Sequence, residues 1–317
     1  MQILTAREIR ALAPMPRLIE ALEQAFRGEC RVPARGVVNV PGGAGDRLFL
    51  SMPAFDARGA GVVKLASVFP DNAAKGLPRI QAAIVAFSET GSPVALLDGT
   101  MITQLRTGAA SALASKYLSR ADSTHLVIIG AGALAPAMAA AHCSARPISR
   151  VSVWARQRER AIATAATIRE WVGGNIEVTV PDSLEQAVTT ADIVSCATSS
   201  ATPVFAGKWL KSGAFVDLVG SFSPSKREAD DDAVRRSRIF VDTFEGALSE
   251  AGDLLDPLAR GVIERARIEG ELADLVRGRV AGRANADEIT LFKSVGTALE
   301  DLAATQMIIA AAAGRTR

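Results

Sequence analysis

Residues 126–135 read Leu-Val-Ile-Ile-Gly-Ala-Gly-Ala-Leu-Ala, and this stretch decides the fold. A continuous apolar run of this kind is typical of a parallel strand that is buried on both faces. It ends in a Gly-x-Gly-x-x-Ala pattern, in which Gly130 permits a tight turn, Gly132 lets a pyrophosphate approach and Ala135 lets a helix pack closely. The helix N-terminus then offers N–H groups to phosphates. The sequence therefore predicts an α/β fold with a Rossmann-type, doubly wound parallel sheet, whose dinucleotide contacts include Gly130, Gly132, Ala133 and Leu134.

A second strand follows at the spacing expected of this fold, at 151–156, and its end bears on the choice of cofactor. A carboxylate at this point typically binds the ribose 2′-hydroxyl of NAD. This chain has Ala155-Arg156-Gln157-Arg158 instead. Because arginine suits a 2′-phosphate, we expect NADP(H) to be preferred, with Arg156 as a contact, while NAD(H) stays possible. The alternative is that both arginines are the solvated start of the next helix.

Composition narrows the class of protein. The 317 residues include 36 Lys plus Arg against 34 Asp plus Glu, a net charge of +2, and only 5% aromatic residues. This balance gives no reason to expect a nucleic acid or a membrane as a partner. The cysteines, Cys30, Cys143 and Cys196, lack metal-ligand spacing, and their odd number fits a reduced, cytoplasmic compartment. The only histidines, His125 and His142, are interpreted as structural, so we expect neither histidine catalysis nor a metal site.

The first residues predict helices and no secretion signal. Thr5 and Glu8 have the spacing of a capping box, and Met15-Pro16 opens an amphipathic helix. The longest apolar stretch, 126–141, is shorter than a membrane span and contains a proline and two glycines. We therefore expect no membrane segment.

Two kinds of strand pattern divide the chain. Before residue 126, turn signals separate β-patterned runs, which indicate a mostly antiparallel sheet in an N-terminal α+β domain: 37–40, 47–50, 61–66, 80–87 and 94–97. After it, strands alternate with helical stretches, which indicates a parallel sheet: 177–180, 193–196, 215–219 and 238–241. The last third is predicted to be helical. We expect a substrate domain at 1–119 and a dinucleotide domain at 120–296.

Lys64 is the first candidate for chemistry. It stands in an otherwise apolar strand, at 62–66, where an ammonium is costly unless it is paired or faces a cavity. Burial would lower the pKa of Lys64 and let the side chain exchange protons. The alternative is a lysine on an edge strand that points to solvent.

Arg106 is the second candidate. The helix predicted at 103–120 places it in the first turn, where a cation opposes the helix dipole. The small residues Gly108 to Ser111 follow, as though another element packs closely there. A charge at an unfavourable position in a helix, with no evident compensating group, is typical of a functional site. Arg106 would present a bidentate fork to a substrate carboxylate. The alternative is an interdomain salt bridge.

Motifs in a characteristic order run along almost the whole chain. They are Met52-Pro53; Lys64 with Asn72, Gly76 and Pro78; Asp98-Gly99 with Ile102-Thr103 and Arg106 to Ala110; Gly130-Ala131-Gly132; Thr198 with Ser200 and Pro203-Val204; Gly213; Arg227-Glu228; Val241-Asp242; Glu250 with Gly252-Asp253; and Glu288 to Ser294 with Gly296. In this order the chain resembles the ornithine cyclodeaminase/mu-crystallin family.

The resemblance implies an N-terminal domain that binds substrate and forms a homodimer through its sheet, and a Rossmann domain followed by a helix, 297–317, that returns to the first domain. Members bind NAD(P) and act on α-amino or α-imino acids. By position, Lys64 resembles the catalytic lysine, Arg106 the arginine that holds the substrate carboxylate, and Arg35 a second substrate-side arginine. The resemblance also implies further cofactor contacts by Thr107, Ser111, Thr198, Ser221, Lys293, Ser294 and Val295.

Two departures separate this chain from the ornithine cyclodeaminases of that family. Those enzymes carry an acidic residue just before the Met-Pro pair, and an aspartate after a later strand as the general base. This chain has Leu50 and Phe222 at the matching positions. A phenyl ring cannot accept a proton, so ornithine chemistry is disfavoured, and Phe222 is expected among the substrate-binding residues.

Around Phe222 the chain resembles the members of this family that reduce cyclic imines. The resemblance therefore implies an NADPH-dependent reductase of a small cyclic α-imino acid, of the type that converts Δ1-pyrroline-2-carboxylate to L-proline. Lys64 and Arg106 would be its catalytic residues, and Arg106 would bind the substrate carboxylate with help from Arg35 and Lys64. Ornithine cyclodeaminase and alanine dehydrogenase are the alternative enzymes. A binding protein of the mu-crystallin type, which holds a small molecule together with NADPH, is the alternative outside enzymes.

Overall fold

The computed structural model describes residues 1–42 and 47–315, without the side chains of Ala73 and Arg315. It divides into two compact units. Unit 1 comprises 1–106 and 297–317, and unit 2 comprises 107–296. The division falls inside a long helix, whereas the sequence placed the boundary at the end of that helix.

The elements of both units follow in chain order. Unit 1 contains β1 (Gln2–Leu4), α1 (Ala6–Leu12), α2 (Met15–Arg27), β2 (Cys30–Arg31), β3 (Gly36–Asn39), β4 (Leu48–Asp56), β5 (Gly61–Val68), β6 (Ile80–Phe87), β7 (Pro93–Asp98) and the start of α3 (Gly99–Leu118). Unit 2 contains β8 (His125–Ile129), α4 (Ala135–Ala145), β9 (Arg150–Trp154), α5 (Arg158–Val172), β10 (Glu177–Thr179), α6 (Leu184–Thr190), β11 (Ile193–Cys196), β12 (Phe215–Leu218), α7 (Asp231–Arg236), β13 (Ser237–Val241), α8 (Phe244–Glu250), α9 (Gly252–Ala259), β14 (Ile268–Glu271), α10 (Leu272–Val276) and β15 (Ile289–Lys293). The last helix, α11 (Ala298–Arg315), belongs to unit 1 again.

The sheet of unit 1 has the strand order β1-β7-β6-β5-β4-β2, and β3 also pairs with β4. Every pair is antiparallel except β1 with β7, so the prediction of a mostly antiparallel sheet is confirmed. β5 lies between β4 and β6, and the cross-strand partners of Lys64 are Met52 and Ile84. The alternative of an edge-strand lysine is therefore wrong.

Two helix starts compare directly with the sequence. At α1, the Thr5 hydroxyl accepts from the Glu8 N–H, and the Glu8 carboxylate accepts from the Thr5 N–H at 2.9 Å, which confirms the capping box. Helix α3 begins one turn earlier than predicted, because the Asp98 carboxylate accepts from the Met101 N–H at 2.8 Å. Arg106 therefore lies beyond the first turn, and the argument that it opposes the helix dipole was wrong.

The sheet of unit 2 is parallel throughout, in the order β10-β9-β8-β11-β12-β15-β13-β14. The chain runs outward from β8 to β9 and β10, and then returns to β11 on the other side of β8. This reversal confirms the predicted doubly wound arrangement. The loop after β8 consequently lies at the crevice where such sheets bind ligands.

The prediction that the last third of the chain is helical is wrong. β14 and β15 lie there, and β15 inserts between β12 and β13. All five residues of β15 are buried, as expected of a central strand with packing on both faces. A short, mostly apolar run such as 289–293 does not distinguish a strand from a segment of buried helix.

Close packing explains the small residues of α3. A Cβ at Gly108 would lie 2.6 Å from the carbonyl oxygen of Ala137, which belongs to α4. The expectation that another element packs against this part of α3 is therefore confirmed. No helix among the described residues, α3 included, is long and apolar enough to cross a membrane.

Candidate active site

Four charged side chains meet inside unit 1. Lys64 comes from the centre of β5 and Arg106 from α3, while Glu300 and Asp301 are neighbours in the first turn of α11. The Lys64 Nζ lies 2.6 Å from Asp301 Oδ2, and the Arg106 Nε lies 3.2 Å from Asp301 Oδ1. Arg106 Nη1 donates to Glu300 Oε2 at 2.5 Å. All four side chains are more than nine-tenths buried, and we call them the α11 cluster.

The charges of the α11 cluster balance when all four groups are ionised. Burial lowers the pKa of Lys64 to about 8, the Asp301 carboxylate opposes this change, and the Arg106 guanidinium adds to it. An ammonium with such a pKa gives up its proton near neutral pH more readily than an exposed lysine does. Lys64 is therefore suited to donate a proton.

The first turn of α11 is the part of this site that the sequence analysis missed. The salt bridge considered for Arg106 exists, but its partners, Glu300 and Asp301, belong to the same unit. They directly precede the apolar run 302–304, and two adjacent acids at the start of an apolar helix are the signal that the sequence offered. Their charges compensate for the burial of the guanidinium.

The other residues that the sequence assigned to substrate are less enclosed. Arg35 is half-buried in the segment between β2 and β3. Leu50 is half-buried on β4, opposite Ala66 of β5. Phe222, in unit 2, is half-buried, and the Lys226 ammonium lies 5.6 Å from the centre of its ring. Neither Leu50 nor Phe222 carries a carboxylate that could act as a base or pair with an ammonium.

The loop after β8 has the features of a phosphate site. Gly130 has a φ of +123°, and a Cβ there would lie 2.6 Å from the Ala197 carbonyl oxygen, so only glycine fits this turn. Gly132 and Ala133 are exposed, and neither N–H group has a protein acceptor within the described part of the chain. Leu134 then caps α4. This backbone fits the pyrophosphate of a dinucleotide.

The segment after β9 carries an exposed arginine. Arg156 makes no hydrogen bond or ion pair with any other described residue, whereas Arg158 pairs with Asp182 at 2.8 Å. No carboxylate stands between the end of β9 and Arg158. Arg156 is therefore the arginine that is available to a 2′-phosphate.

Buried charges connect the loops at the carboxyl edge of the sheet in unit 2. The Glu228 carboxylate accepts from the Thr198 N–H at 2.6 Å, from the Thr198 hydroxyl at 2.9 Å and from the Gly220 N–H at 2.7 Å. Asp253 Oδ1 accepts from the N–H of Glu228 at 2.6 Å and from that of the next residue at 3.0 Å. Lys293 Nζ lies 3.0 Å from Asp253 Oδ2. We call Glu228, Asp253 and Lys293 the loop brace.

The loop brace includes residues whose importance the sequence analysis did not recognise. Glu228 and Asp253 occur in the quoted motifs, but no spacing assigned either of them a contact. Burial, which the Lys293 ammonium opposes, raises the pKa of Glu228 to about 7. Lys293, assigned to the cofactor, has no exposed surface, and its charge acts on Asp253 inside the protein.

The Asp242 carboxylate also accepts hydrogen bonds from backbone N–H groups, in this case those of the segment after β15. Its Oδ2 accepts from the Val295 N–H at 2.8 Å, from the Gly296 N–H at 2.6 Å and from the Ser294 hydroxyl at 3.1 Å. Asp242 itself is fully buried and follows β13. The Ser294 hydroxyl and the Val295 N–H, both in the segment assigned to the cofactor, therefore have a protein partner.

Three further residues assigned to the cofactor are also buried. The Ser111 hydroxyl donates to Asp217 Oδ1 at 2.9 Å, and this serine has no exposed surface. The Ser221 hydroxyl donates to the Lys226 carbonyl oxygen at 2.5 Å. Thr107 is 7% exposed. The Ser111 and Ser221 hydroxyls therefore support the interior of unit 2.

Comparisons with known proteins cover the whole chain. The model of the ornithine cyclodeaminase/mu-crystallin family matches residues 1–315. The Δ1-pyrroline-2-carboxylate reductase of Colwellia psychrerythraea is 36% identical over 322 residues, which cover 98% of this chain and 98% of that protein. A solved structure of the Thermococcus litoralis Δ1-pyrroline-2-carboxylate reductase, in complex with NADH and L-proline, has a TM-score of 0.94 at 37% identity, over 100% of this chain and 98% of the other. An archaeal alanine dehydrogenase dimer with bound NAD has a TM-score of 0.89 at 29% identity, over 100% and 97% of the two chains.

Proposed function

The chain belongs to the ornithine cyclodeaminase/mu-crystallin family, and from this premise we propose that it is a nicotinamide-dependent reductase of a small cyclic α-imino acid. The reaction converts Δ1-pyrroline-2-carboxylate to L-proline, an activity that the names of the Colwellia and Thermococcus relatives give for those proteins. One observation carries the proposal: two buried cations, Lys64 and Arg106, occur in a chain with no acid at positions 50 and 222.

Arg106 binds the substrate carboxylate. A guanidinium can donate to both carboxylate oxygens at once, which fixes the orientation of the substrate as well as its position. Because Glu300 and Asp301 hold the guanidinium through Nη1 and Nε, its orientation is set before the substrate arrives. Arg35 is proposed as a second contact to the same carboxylate.

Lys64 provides the proton for the imine nitrogen. Protonation draws electrons away from the carbon of the C=N bond and makes that carbon a better hydride acceptor. The Lys64 ammonium, with a pKa of about 8, donates this proton directly or through a water molecule. A reduced nicotinamide supplies the hydride when it is bound. The exposed backbone of Gly132 and Ala133 would hold the pyrophosphate of that cofactor.

The second candidate enzyme is an ornithine cyclodeaminase, and the third is an alanine dehydrogenase. Ornithine would bring a distal ammonium, and neither Leu50 nor Phe222, at the positions where cyclodeaminases carry acids, could compensate for its loss of water. The ring of a cyclic imine carries no such charge and packs well against a phenyl group. The presence of both Lys64 and Arg106 favours an enzyme over a binding protein of the mu-crystallin type.

Two assays on one preparation test the proposal. We expect oxidation of NADPH with Δ1-pyrroline-2-carboxylate, and no ammonia above background from L-ornithine with catalytic NAD. Robust ammonia release would identify the protein as an ornithine cyclodeaminase. Cofactor binding without turnover of cyclic imines, or of keto acids with amines, would favour a binding protein. As a control, Arg106→Lys keeps the charge but loses the fork, and KM should rise about tenfold or more.

A preference for NADPH over NADH is a further part of the proposal. The exposed Arg156 and the absence of a carboxylate after β9 support this preference. The solved relatives themselves were observed with NADH or NAD. Arg156→Asp should reverse the preference, with a loss in NADPH affinity of about tenfold to a hundredfold measured by fluorescence quenching. Arg158→Ala is the matched control, because Asp182 already pairs with Arg158. Equal affinities of the parent for both cofactors would contradict the preference.

We also propose a homodimer formed through the sheet of unit 1. Phe49 and Phe55 lie on one face of β4 and are 40% and 37% exposed, and Val38, opposite Phe49 on β3, is 60% exposed. Exposed apolar patches of this kind are typical of interfaces. In sedimentation experiments the parent should be a dimer and Phe49→Asp should shift it toward the monomer. A monomeric parent would rule the dimer out. The cytoplasmic location stays a prediction.

A further inference from the structure

Asp301 contacts both cations of the α11 cluster. Its Oδ2 lies 2.6 Å from Lys64 Nζ, and its Oδ1 lies 3.2 Å from Arg106 Nε. The carboxylate is fully buried, so water does not compete for these contacts. One side chain of α11 therefore connects a strand of the sheet with the guanidinium of α3.

The surroundings of Lys64 offer little else that could compensate for its charge. Its cross-strand partners, Met52 and Ile84, are apolar and buried. The charged groups that act on it are Asp301 and Glu300, which attract the ammonium, and Arg106, which repels it. The carboxylates of α11 must therefore offset both the burial of Lys64 and the repulsion by Arg106.

We propose that Asp301 is a positioning residue, which holds the Lys64 ammonium and the Arg106 guanidinium at a fixed separation and keeps Lys64 protonated for the reaction. This inference rests on the proposed function, in which Arg106 binds the substrate carboxylate and Lys64 protonates the imine nitrogen. In an α-imino acid the carboxylate and the nitrogen are attached to the same carbon atom. The two protein groups that meet them must therefore also keep one spacing, and a carboxylate shared by both groups sets it with little freedom.

The same carboxylate controls the charge of Lys64. Burial lowers the pKa of Lys64 to about 8 even while Asp301 opposes the change. Without the negative charge of Asp301, the ammonium would face the repulsion of Arg106 with only Glu300 to compensate. The pKa of Lys64 would then fall further, and fewer molecules would carry the proton at neutral pH.

Three variants separate this role from a merely structural contact of α11. Asp301→Asn removes the charge at constant size, Asp301→Glu keeps the charge on a longer side chain, and Glu300→Gln is the matched control at the neighbouring position. For each variant, kcat and KM for Δ1-pyrroline-2-carboxylate are measured against pH, and urea unfolding reports how much of the protein is folded.

Each variant has its own expected result. In Asp301→Asn, the basic limb of the kcat profile should move to lower pH by about 1–3 units, the size of effect that a neighbouring charge has on a pKa. Glu300→Gln should raise KM, because Arg106 loses a partner, and should shift the limb much less. Asp301→Glu should keep the limb near that of the parent, while kcat falls about tenfold or more because the spacing changes.

Two results would overturn the inference. The first is a basic limb in Asp301→Asn that coincides with that of the parent. The second is an Asp301→Glu protein with parental kcat and KM, which would show that the separation of the two cations does not matter. This second result decides the question even if Asp301→Asn does not fold.

A titration without turnover separates this inference from the proposed function. The ¹⁵N signal of the Lys64 ammonium, assigned with Lys64→Met, should titrate about 1–3 pH units lower in Asp301→Asn than in the parent. If the titration shifts but no cyclic imine is reduced, the proposed function fails while the hold of Asp301 on Lys64 stands. If the imine is reduced but the titration does not shift, this inference alone fails.

Discussion

The α11 cluster of unit 1 and the loop brace of unit 2 both bury a lysine together with carboxylates, but the carboxylates have different partners. In the α11 cluster, Glu300 and Asp301 contact cationic side chains. In the loop brace, Glu228 and Asp253 together accept from four backbone N–H groups. The two sets are alike in burial, and differ in the groups that their carboxylates contact.

This difference separates the proposed site for chemistry from a support for the fold. A carboxylate that accepts from backbone N–H groups fixes the path of the chain, and removing it leaves those groups without partners. A guanidinium held by side chains has five N–H donors and can still serve a substrate. Lys64 and Lys293 are 3% and 0% exposed, so burial alone would not tell them apart. Their partners do.

The largest expected effect is on stability and concerns the loop brace. Asp253→Ala leaves the buried Lys293 ammonium without its carboxylate and two backbone N–H groups without an acceptor. We expect the free energy of unfolding, measured in urea, to fall by about 3–5 kcal/mol. The double variant Asp253→Ala/Lys293→Met is the control and should recover part of this loss, because the orphaned charge is gone. A loss below about 1 kcal/mol in Asp253→Ala would show that the loop brace does not support the fold, and its distinction from the α11 cluster would then fail.

The next effect is on catalysis and concerns the α11 cluster. Lys64→Met removes the proposed proton donor, while Asp301 keeps Arg106 as a partner. We expect kcat for imine reduction to fall about a hundredfold or more, with cofactor affinity little changed. Lys208→Met, at an exposed position, should leave kcat at the parental value. Near-parental turnover in Lys64→Met would show that this lysine has a structural role. The α11 cluster and the loop brace would then have the same role.

The smallest effect is a dependence of stability on pH at the amino edge of the sheet in unit 2. Burial opposes the ionisation of Asp192, but Lys211 and the N–H groups of Thr124 and His125 outweigh it and lower the pKa of Asp192 to about 2. Because the folded-state pKa lies below the unfolded one, this stabilisation is present above about pH 4 and is lost as the pH falls through about 2.

Asp192→Asn should therefore be less stable than the parent by about 1.5–3 kcal/mol at neutral pH, and the difference should vanish near pH 2. Urea unfolding between neutral pH and pH 2 measures it. Asp122→Asn, at an exposed partner of Arg120, is the control and should change stability by less than about 1 kcal/mol. A difference between parent and Asp192→Asn that persists unchanged at pH 2 would show that the charge of Asp192 is not what stabilises this edge.

Much of the fold could be predicted because its signals are local. The apolar run that ends at Gly130 specifies a strand, a turn and a helix within one short segment, and the structure has all three. Lys64 could be singled out because a charge in an apolar strand breaks the local pattern. β15 could not be predicted, since a five-residue, mostly apolar run fits a strand and a segment of buried helix equally well.

By itself, the sequence determined the groups that we propose for the chemistry: two cations in apolar surroundings, a glycine turn for a dinucleotide, and no acid at positions 50 and 222. Only the tertiary structure decided which carboxylates balance those cations. Arg106 and Glu300 are 194 residues apart along the chain, and Glu228 is 30 residues from Thr198. No local pattern encodes such pairs, because burial makes an ion pair necessary but leaves its partner to be supplied by whichever helix or loop the fold brings against it.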